Sequence, residues 1–547
     1  MCGRFTRIVR LIRLGLLSIY KKCILHDVDR MVEQKTETNK KNETLFKEMT
    51  FGKKIQYIYD HITLEPMVAC FVLPSMLLML GVQNLNLEKA CRVNLNYNQT
   101  VCDALRVRDT AHYADEEVAI QKLVATMTGW KMAINSAVPC LLILFFGSWS
   151  DRHGKRKPCI LIPLCGQIMM AFSLLLCVYF DKTPIEVAIF VEVFFPCITG
   201  SHFTMMVGIF SYMADITKEK ERTVRIGIIS LVYSVGVPFG MAFSGILLKR
   251  VGFYGVFSMA GTLYTTALLY GLFVLKEVPP KEMNEQLIKK SFLADFFDFG
   301  HIKETFLVAF KARVKNRRMK ILALMAVVII VVGPQHGEMS LFYLFTRYKF
   351  NWSEVEFSFF STYNMGIHLI GTGFAVSVLS SMFKVDDALI GSMASFSKIL
   401  SSFVYAFSQV EWHMFIGPVA EIIGGAAFIA MRSLASKIVS SNELGKINSL
   451  FGIVESIAPL IYSPVLAAIY SATLTKMPGA FFLVGGIMTI PGVMLFIWIY
   501  TINRAEAKEK TAADNTPVDV QKAVEEKQCE MYLQNEGLSV ISDIKGL

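Results

Sequence analysis

Ionisable side chains interrupt the long apolar stretches of this sequence, and their chemistry has to be explained first. A charge inside a bilayer costs at least about 2.5 kcal/mol, so such residues are expected to line a polar pathway or to pair with one another. The positions are Lys131, Glu192, His202, His336, Glu338, His368, Glu421, Arg432 and Glu455. Not all of them can be functional: His368, in an apolar stripe, fits a hydrogen-bonded structural histidine better than a proton relay.

His336 and Glu338 lie in a stretch that glycine and proline would loosen. Gly333, Pro334 and Gly337 weaken a helix there and free backbone groups to line a cavity. A histidine titrates near neutral pH and a carboxyl group in a dry cavity holds its proton more tightly, so either side chain is a candidate carrier of a coupling proton. Two residues apart on a helix, they are expected to point to different sides.

His202, Glu421 and Arg432 are further candidates for a solute or proton pathway. Arg432 suits an anionic solute or a gating carboxylate; the alternative is an ordinary arginine at the inner membrane surface. Lys131 and Glu455 are instead expected near the ends of spans, where long side chains reach water.

The charged loop 147–157 has the composition of a gate. Gly147 and Gly154 frame it, and Gly154 permits a tight turn between two antiparallel helices. Asp151 can pair with an arginine or a helix N-terminus of a neighbouring helix and so hold the inner side shut. The basic residues of this predicted gate are Arg152, Lys155 and Arg156, and its predicted partners are Asp215, Arg222 and Arg225.

The elements that must position these residues are apolar stretches long enough to cross a bilayer. Hydrophobic residues make up 53% of the 547 positions, and about twelve stretches approach the roughly 20 residues that a spanning helix needs. We predict an all-α membrane protein with about twelve transmembrane helices in two six-helix bundles, residues 61–275 and 320–501. The other predicted segments are a basic and polar N-terminal extension (1–60), a linker (276–319) and a disordered tail (502–547), all cytoplasmic.

The net charge of +10 concentrates on one side of the predicted membrane. Lysine and arginine are enriched in loops on the side of the N-terminus, whereas the segment 86–122 balances its basic residues with acidic ones. The charge therefore indicates topology, with both termini cytoplasmic, and argues against nucleic-acid binding. No metal-ligand spacing, phosphate loop or nucleophile arrangement stands out, so we expect no metal, no cofactor and no enzymatic activity.

Cys91 and Cys102 lie in the first loop of the opposite side, beside the sequon at Asn98. In an oxidising, glycosylated compartment these cysteines are expected to form a local disulfide, and Asn98 is expected to carry a glycan.

The glycine-framed loop and the six-plus-six layout resemble the major facilitator superfamily. Further motifs narrow the resemblance to solute carrier family 46, over about residues 62–500. They are Gly147-Ser-Trp-Ser-Asp151 with its basic continuation, Ala214-Asp215 followed by Arg222-Thr223, Asn351-Trp352-Ser353, Arg432 with Ser436-Lys437, and Tyr470-Ser-Ala472-Thr473.

That resemblance implies alternating access, in which two helical bundles rock around a central cavity. It implies a small organic anion as the solute, moved with protons: a folate, a conjugated steroid, a muropeptide or a cyclic dinucleotide. Arg432 aligns with an arginine important in the family's folate transporter, but Ser230 stands where that transporter has a glutamate, which favours a non-folate solute. The implied location is the plasma membrane or an endolysosomal membrane, and the sequence gives no indication of oligomeric state. The alternative function is a receptor or interaction protein that kept this fold and lost transport.

Overall fold

A computed structural model describes residues 63–217, 219–277, 296, 317–439 and 441–514. The described residues are helical, with no β-strand among them. In chain order the helices are α1 (Glu65–Lys89), α2 (Gln99–Arg106), α3 (Ala114–His153), α4 (Lys157–Tyr179), α5 (Ile185–Ile198), α6 (Ser201–Ile216), α7 (Glu219–Phe273), α8 (Arg317–Val327), α9 (Gly333–Phe350), α10 (Glu354–Phe374), α11 (Asp387–Phe407), α12 (Glu411–Ala420), α13 (Ala426–Ile438), α14 (Ser441–Thr473) and α15 (Ala480–Asp514). Wider π-helical turns follow α1 (Ala90–Asn94), α8 (Val328–Val332) and α10 (Ala375–Met382).

Within the described part of the chain, nine helical stretches are long and apolar enough to cross a membrane. One of them, Arg225–Phe273, is 49 residues long and kinks at Gly252, so it has the length of two crossings. Helix α10 and the pair α12 and α13 are not among the nine. The count of twelve therefore stays a prediction.

The helices form two bundles, each with its own core cluster, and α3 of the first bundle contributes Cys140 to the core of the second. One core is built from α1 and α4 to α7 and includes Phe71, Met205 and Tyr264, all at most 3% exposed. The other is built mainly from α8 and the helices after it, and includes Leu324 and Phe496, each 0% exposed. The predicted linker 276–319 falls between these two groups of helices, and its bounds stay a prediction; of its residues, 278–295 and 297–316 are outside the described part.

A third cluster joins the two bundles at one end of the molecule. It contains Leu87 and Ile120 from the first bundle and Phe345, Tyr470 and Phe482 from the second. This end carries the segment 90–113, and we call it the disulfide face because Cys91 and Cys102 are bonded there. The opposite end carries the charged loop 147–157, and we call it the loop face.

Two seams of small residues bring the bundles into close contact. On α3, a methyl group at Gly129 would lie 2.9 Å from the Ala467 side chain of α14. On α7, a methyl group at Gly245 would overlap the carbonyl oxygen of Glu354 at the start of α10. Glycine at these positions lets the helix backbones approach each other.

Each bundle contains a pair of helices separated by a short break: α5 and α6 in the first bundle, and α12 and α13 in the second. The chain leaves helix between α5 and α6 at Gly200, which has φ of +91°. It leaves helix again between α12 and α13, where residues 421–425 form turns that include Gly424 and Gly425. Broken helices expose backbone groups that have no helical partner, so they are tolerated in a membrane only beside protein or a polar cavity.

The last helix extends beyond the predicted boundary. Helix α15 continues to Asp514, whereas the tail was predicted to be disordered from residue 502. Part of the extension is anchored by Lys320 of α8, whose ammonium group binds Asn503 at 2.8 Å and Glu506 at 2.9 Å. Residues 515–547 and the predicted extension 1–60 lie outside the described residues.

Candidate functional site

Helix α9 separates His336 from Glu338 as their spacing predicts. The π-helical turn 328–332 and the sequence Gly333-Pro334 precede them, and Gly337 packs against the backbone of Tyr462 on α14. His336 is exposed, whereas Glu338 is 4% exposed and points into the second bundle. The two side chains therefore belong to different environments on one helix.

His336 faces a histidine of the other bundle. His202, in the first turn of α6 directly after the Gly200 break, lies close enough to His336 for the two rings to interact electrostatically. His336 is therefore an exposed polar residue near the middle of its span, within electrostatic range of His202. The structure thus brings together two of the predicted pathway residues.

The second predicted group is a buried cluster of three charges, which we call the carboxylate–lysine cluster: Glu338, Lys398 and Glu421. The Lys398 ammonium group lies 2.6 Å from Glu338 Oε2 and 3.5 Å from Glu421 Oε2, and each of the three side chains is 5% or 6% exposed. Glu421 caps α12 at the helix break and also accepts a hydrogen bond from Gln335 at 3.1 Å. Sequence reasoning identified the two glutamates and missed Lys398, although a lysine amid the apolar residues of α11 is the same kind of signal.

Arg432 lies in α13, the second helix of the broken pair α12 and α13. Its guanidinium group lies 3.5 Å from Glu455 Oε2 and 4.5 Å from the centre of the Phe428 ring. Its side chain is 44% exposed. Glu455 lies in α14, close to the start of the membrane-crossing stretch Leu450–Thr473, so the expectation of a position near a span end is kept. Tyr233 of the first bundle is close enough to interact with it. Arg432 and Glu455 therefore line the space between the bundles.

Lys131 was expected near the end of a span, and the structure places it in the middle of one. It lies in the interior of α3, is 6% exposed, and binds Glu192 of α5 at 3.1 Å. Both residues belong to the first bundle, and each balances the charge of the other. The sequence alone does not show that they pair.

The loop face carries the predicted gate. Gly154 ends α3 with φ of +64°, a conformation that glycine adopts without strain. Arg156 donates to Asp215 Oδ2 at 2.8 Å and to Ser150 Oγ at 3.0 Å, while Lys155 is exposed. The structure thus brings Asp215 to the loop through Arg156.

The other residues of the predicted gate lie in α3 and α7. Arg152 lies in the last turn of α3, and a methyl group at Gly147 would meet open space. The side chains of Asp151 and Arg222 are outside the described residues. Arg225, predicted as a partner of the loop, is found elsewhere: it binds Glu65 of α1 at 3.1 Å and Thr63 at 2.8 Å.

The disulfide face is closed by an ion-pair network that sequence reasoning missed. We call Arg108, Glu117 and Arg347 the disulfide-face clamp. Glu117 Oε1 on α3 lies 3.1 Å from Arg347 on α9 and 3.3 Å from Arg108, and Arg347 also donates to the carbonyl oxygen of Leu105 at 3.0 Å. Nearby, Tyr343 donates to Asn84 at 2.9 Å. These contacts join the first bundle to the second.

The predicted disulfide holds the chain segment that leads to the clamp. Cys91 and Cys102 are bonded, with their Cα atoms 5.9 Å apart, and they tie α2 to the end of α1. Helix α2 leads directly to Arg108 of the clamp. Asn98 is exposed at the start of α2, and its glycosylation stays a prediction. Among the residues that the structure describes, no group of three or more His, Cys, Asp or Glu could hold a metal ion.

Two helical bundles, joined by glycine seams and enclosing polar side chains at broken helices, define a membrane transporter. Residues 118–420 match the family model of the major facilitator superfamily. The chain belongs to the major facilitator superfamily.

Curated relatives confirm the resemblance to solute carrier family 46. The chain is 24% identical to a probable peptidoglycan muropeptide transporter of that family from Drosophila melanogaster, over 80% of this chain and 85% of the relative. It is 25% identical to a lysosomal proton-coupled steroid conjugate and bile acid symporter of that family from Gallus gallus, over 80% and 93%. The crystal structure of the human organic anion transporter MFSD10 shares the fold with a TM-score of 0.53 at 15% identity, covering 79% of this chain and 99% of that one.

Proposed function

We propose that this chain moves a small organic anion across a membrane by alternating access, together with protons. The observation that carries the proposal is the asymmetry between its two ends. At the disulfide face, the clamp and an apolar cluster join the bundles. Among the residues that the structure describes at the loop face, the ion pairs Arg156–Asp215 and Lys320–Glu506 each join residues of a single bundle. This arrangement corresponds to one end state of a rocking transporter, closed at the disulfide face.

The preference for an anion is supported by the side chains between the bundles. Arg432 is partly exposed there and offers a planar guanidinium group, which suits a carboxylate, sulfate or phosphate. His202 and His336 offer further hydrogen-bond donors from opposite bundles. The muropeptide, steroid conjugate and bile acid carried by the relatives are organic anions, and we take that class as the solute of this chain.

We infer that the disulfide face is the extracytoplasmic side. A disulfide and an exposed sequon at Asn98 suit an oxidising, glycosylated compartment, and the basic loop 147–157 suits the cytoplasm. Both termini are then cytoplasmic, in the plasma membrane or an endolysosomal membrane.

Transport by the full chain in proteoliposomes tests this function. The probes are a radiolabelled steroid sulfate and a radiolabelled muropeptide, with and without a pH gradient. We expect Arg432→Ala to weaken apparent affinity by roughly 10- to 150-fold, because a hydrogen bond to a charged group contributes about 1.5–3 kcal/mol. Lys437→Ala is the matched control: it removes a basic residue of the same helix whose side chain is 66% exposed and paired with Asp387.

Unchanged transport in Arg432→Ala would remove that residue from the solute site. Flux that ignores the pH gradient would remove proton coupling. Binding of either probe without flux would favour the receptor alternative.

A further inference from the structure

The carboxylate–lysine cluster has a charge imbalance that the solute site does not explain. With all three groups ionised, two carboxylates face one ammonium group, which leaves a net negative charge among side chains 5% or 6% exposed. A buried net charge is strongly unfavourable, and one added proton makes the cluster neutral. We propose that Glu338 is the proton-binding site of the transport cycle, with Lys398 and Glu421 setting its charge; this assignment rests on the proposed proton-coupled transport.

The hydrogen bonds distinguish the two carboxylates. Glu421 accepts from Gln335 through Oε1, and its Oε2 faces Lys398 at 3.5 Å. Glu338 accepts from Lys398 through Oε2 at 2.6 Å, but its Oε1 is buried without a hydrogen-bond partner. An ionised carboxylate is best stabilised when donors reach both oxygens. Glu338 therefore offers a free buried oxygen, Oε1, that can take the proton while Oε2 keeps its bond to Lys398.

Within the described part of the chain, Lys398 is the cation that pairs with Glu338. The other titratable groups near the cluster are His368 of α10 and Tyr405 of α11. His368 lies near Glu421 and Lys398, and Tyr405 lies near both carboxylates. On α15, Gly485 packs so closely against Glu338 Oε1 that even a methyl group would overlap it. His336 projects from the opposite side of α9.

Protonation of Glu338 would change a link between helices. The 2.6 Å ion pair ties α9 to α11. A neutral Glu338 leaves Lys398 with Glu421, at the break between α12 and α13, as its remaining ionised partner. Helix α9 is then held less tightly, and it also carries His336 of the cavity and Arg347 of the clamp. A proton at Glu338 thus acts on the helix that lines the cavity and closes the disulfide face.

Infrared difference spectroscopy tests the proton site without any solute. On acidifying the purified full chain in detergent, we expect a protonated-carboxyl band in the wild type that is lost in Glu338→Gln. Glu192→Gln is the matched control, because Glu192 is also paired with a lysine inside a bundle and should keep the band. Glu421→Gln removes the charge imbalance, so the band should appear only at more acidic pH. This variant keeps the test decisive if Glu338→Gln does not fold.

Transport measurements then test whether Glu338 couples solute movement to protons. In proteoliposomes with radiolabelled steroid sulfate or muropeptide, we expect Glu338→Gln to lose accumulation driven by a pH gradient while solute exchange without a gradient continues. If the wild type shows no gradient-driven accumulation, the proposed function fails. If the wild type accumulates the probe and Glu338→Gln does so equally, or if the band survives in Glu338→Gln or does not shift in Glu421→Gln, the proton assignment is overturned.

Discussion

Breaking the disulfide-face clamp should shift the chain toward a state open at that face. The perturbation is Arg347→Ala, which removes the residue that reaches Glu117 at 3.1 Å and the carbonyl oxygen of Leu105 at 3.0 Å. The side chains of Arg347 and Glu117 are 6% and 4% exposed. Removing one partner of a buried ion pair costs about 3–5 kcal/mol.

That cost falls mainly on the closed state. When the face opens, Glu117 becomes hydrated and no longer needs Arg347, so the open state loses little. At about 1.4 kcal/mol for each factor of ten, the ratio of open to closed molecules should rise by roughly two to nearly four orders of magnitude. Arg108 also contacts Glu117 and will offset part of the loss, so the lower end of the range is the expectation.

A reporter cysteine measures this shift. Leu474→Cys places a thiol at a position that is 0% exposed, about one helical turn from Tyr470, whose hydroxyl meets Gln121 across the bundles at 3.5 Å. A hydrophilic thiol reagent should react with purified full chain at least about a hundred times faster in Arg347→Ala, because the rate follows the open population. Labelling of the chain without the reporter is subtracted as background from the native cysteines.

Arg92→Ala is the matched control for the clamp. Arg92 pairs with Glu88 and Asp103 on the same face, but those contacts stay within the first bundle, and its side chain is 30% exposed. A pair of this kind contributes about 0–1 kcal/mol, so labelling should hardly change. An unchanged rate in Arg347→Ala, or an equal rise in Arg92→Ala, would refute the role of the clamp.

Two glycine positions give further predictions, each with a control glycine nearby. Gly371→Ala should destabilise the chain by about 1–3 kcal/mol, seen as a lower melting temperature, because its methyl group would overlap the carbonyl oxygen of Ile422 at the break before α13; Gly373→Ala meets open space and should melt like the wild type. Gly154→Ala should cost about 1–2 kcal/mol through its positive φ; Gly147→Ala, with nothing near its added methyl group, should not. Equal melting temperatures within either pair would contradict the argument for that position.

The class of fold was readable from the sequence because lipid permits few solutions. Apolar length, the side preference of basic residues and the loop around Gly154 each follow from local chemistry, and the family match agrees with them. The bond between Cys91 and Cys102 was also predictable, since its two residues are close in the chain and occur in one polar loop.

The partners of the buried charges could not be predicted from local sequence. Glu117 and Arg347 stand 230 positions apart, and no local pattern links them. Arg225 was assigned to the loop by its place at a helix start, yet packing brings it to Glu65 on α1. Spacing along the chain indicates which side chains need a partner in a membrane, but the choice of partner is made by helices that meet only after folding.

The glycine seams at Gly129 and Gly245 bear on how fast such a molecule can work. Small residues at these two positions let the helix backbones approach each other with no large side chain between them, so these contacts can shift as one bundle turns against the other. A bulky residue at Gly129 or Gly245 would collide with the facing helix. It would slow the interchange between the two end states while leaving the solute affinity of each state intact.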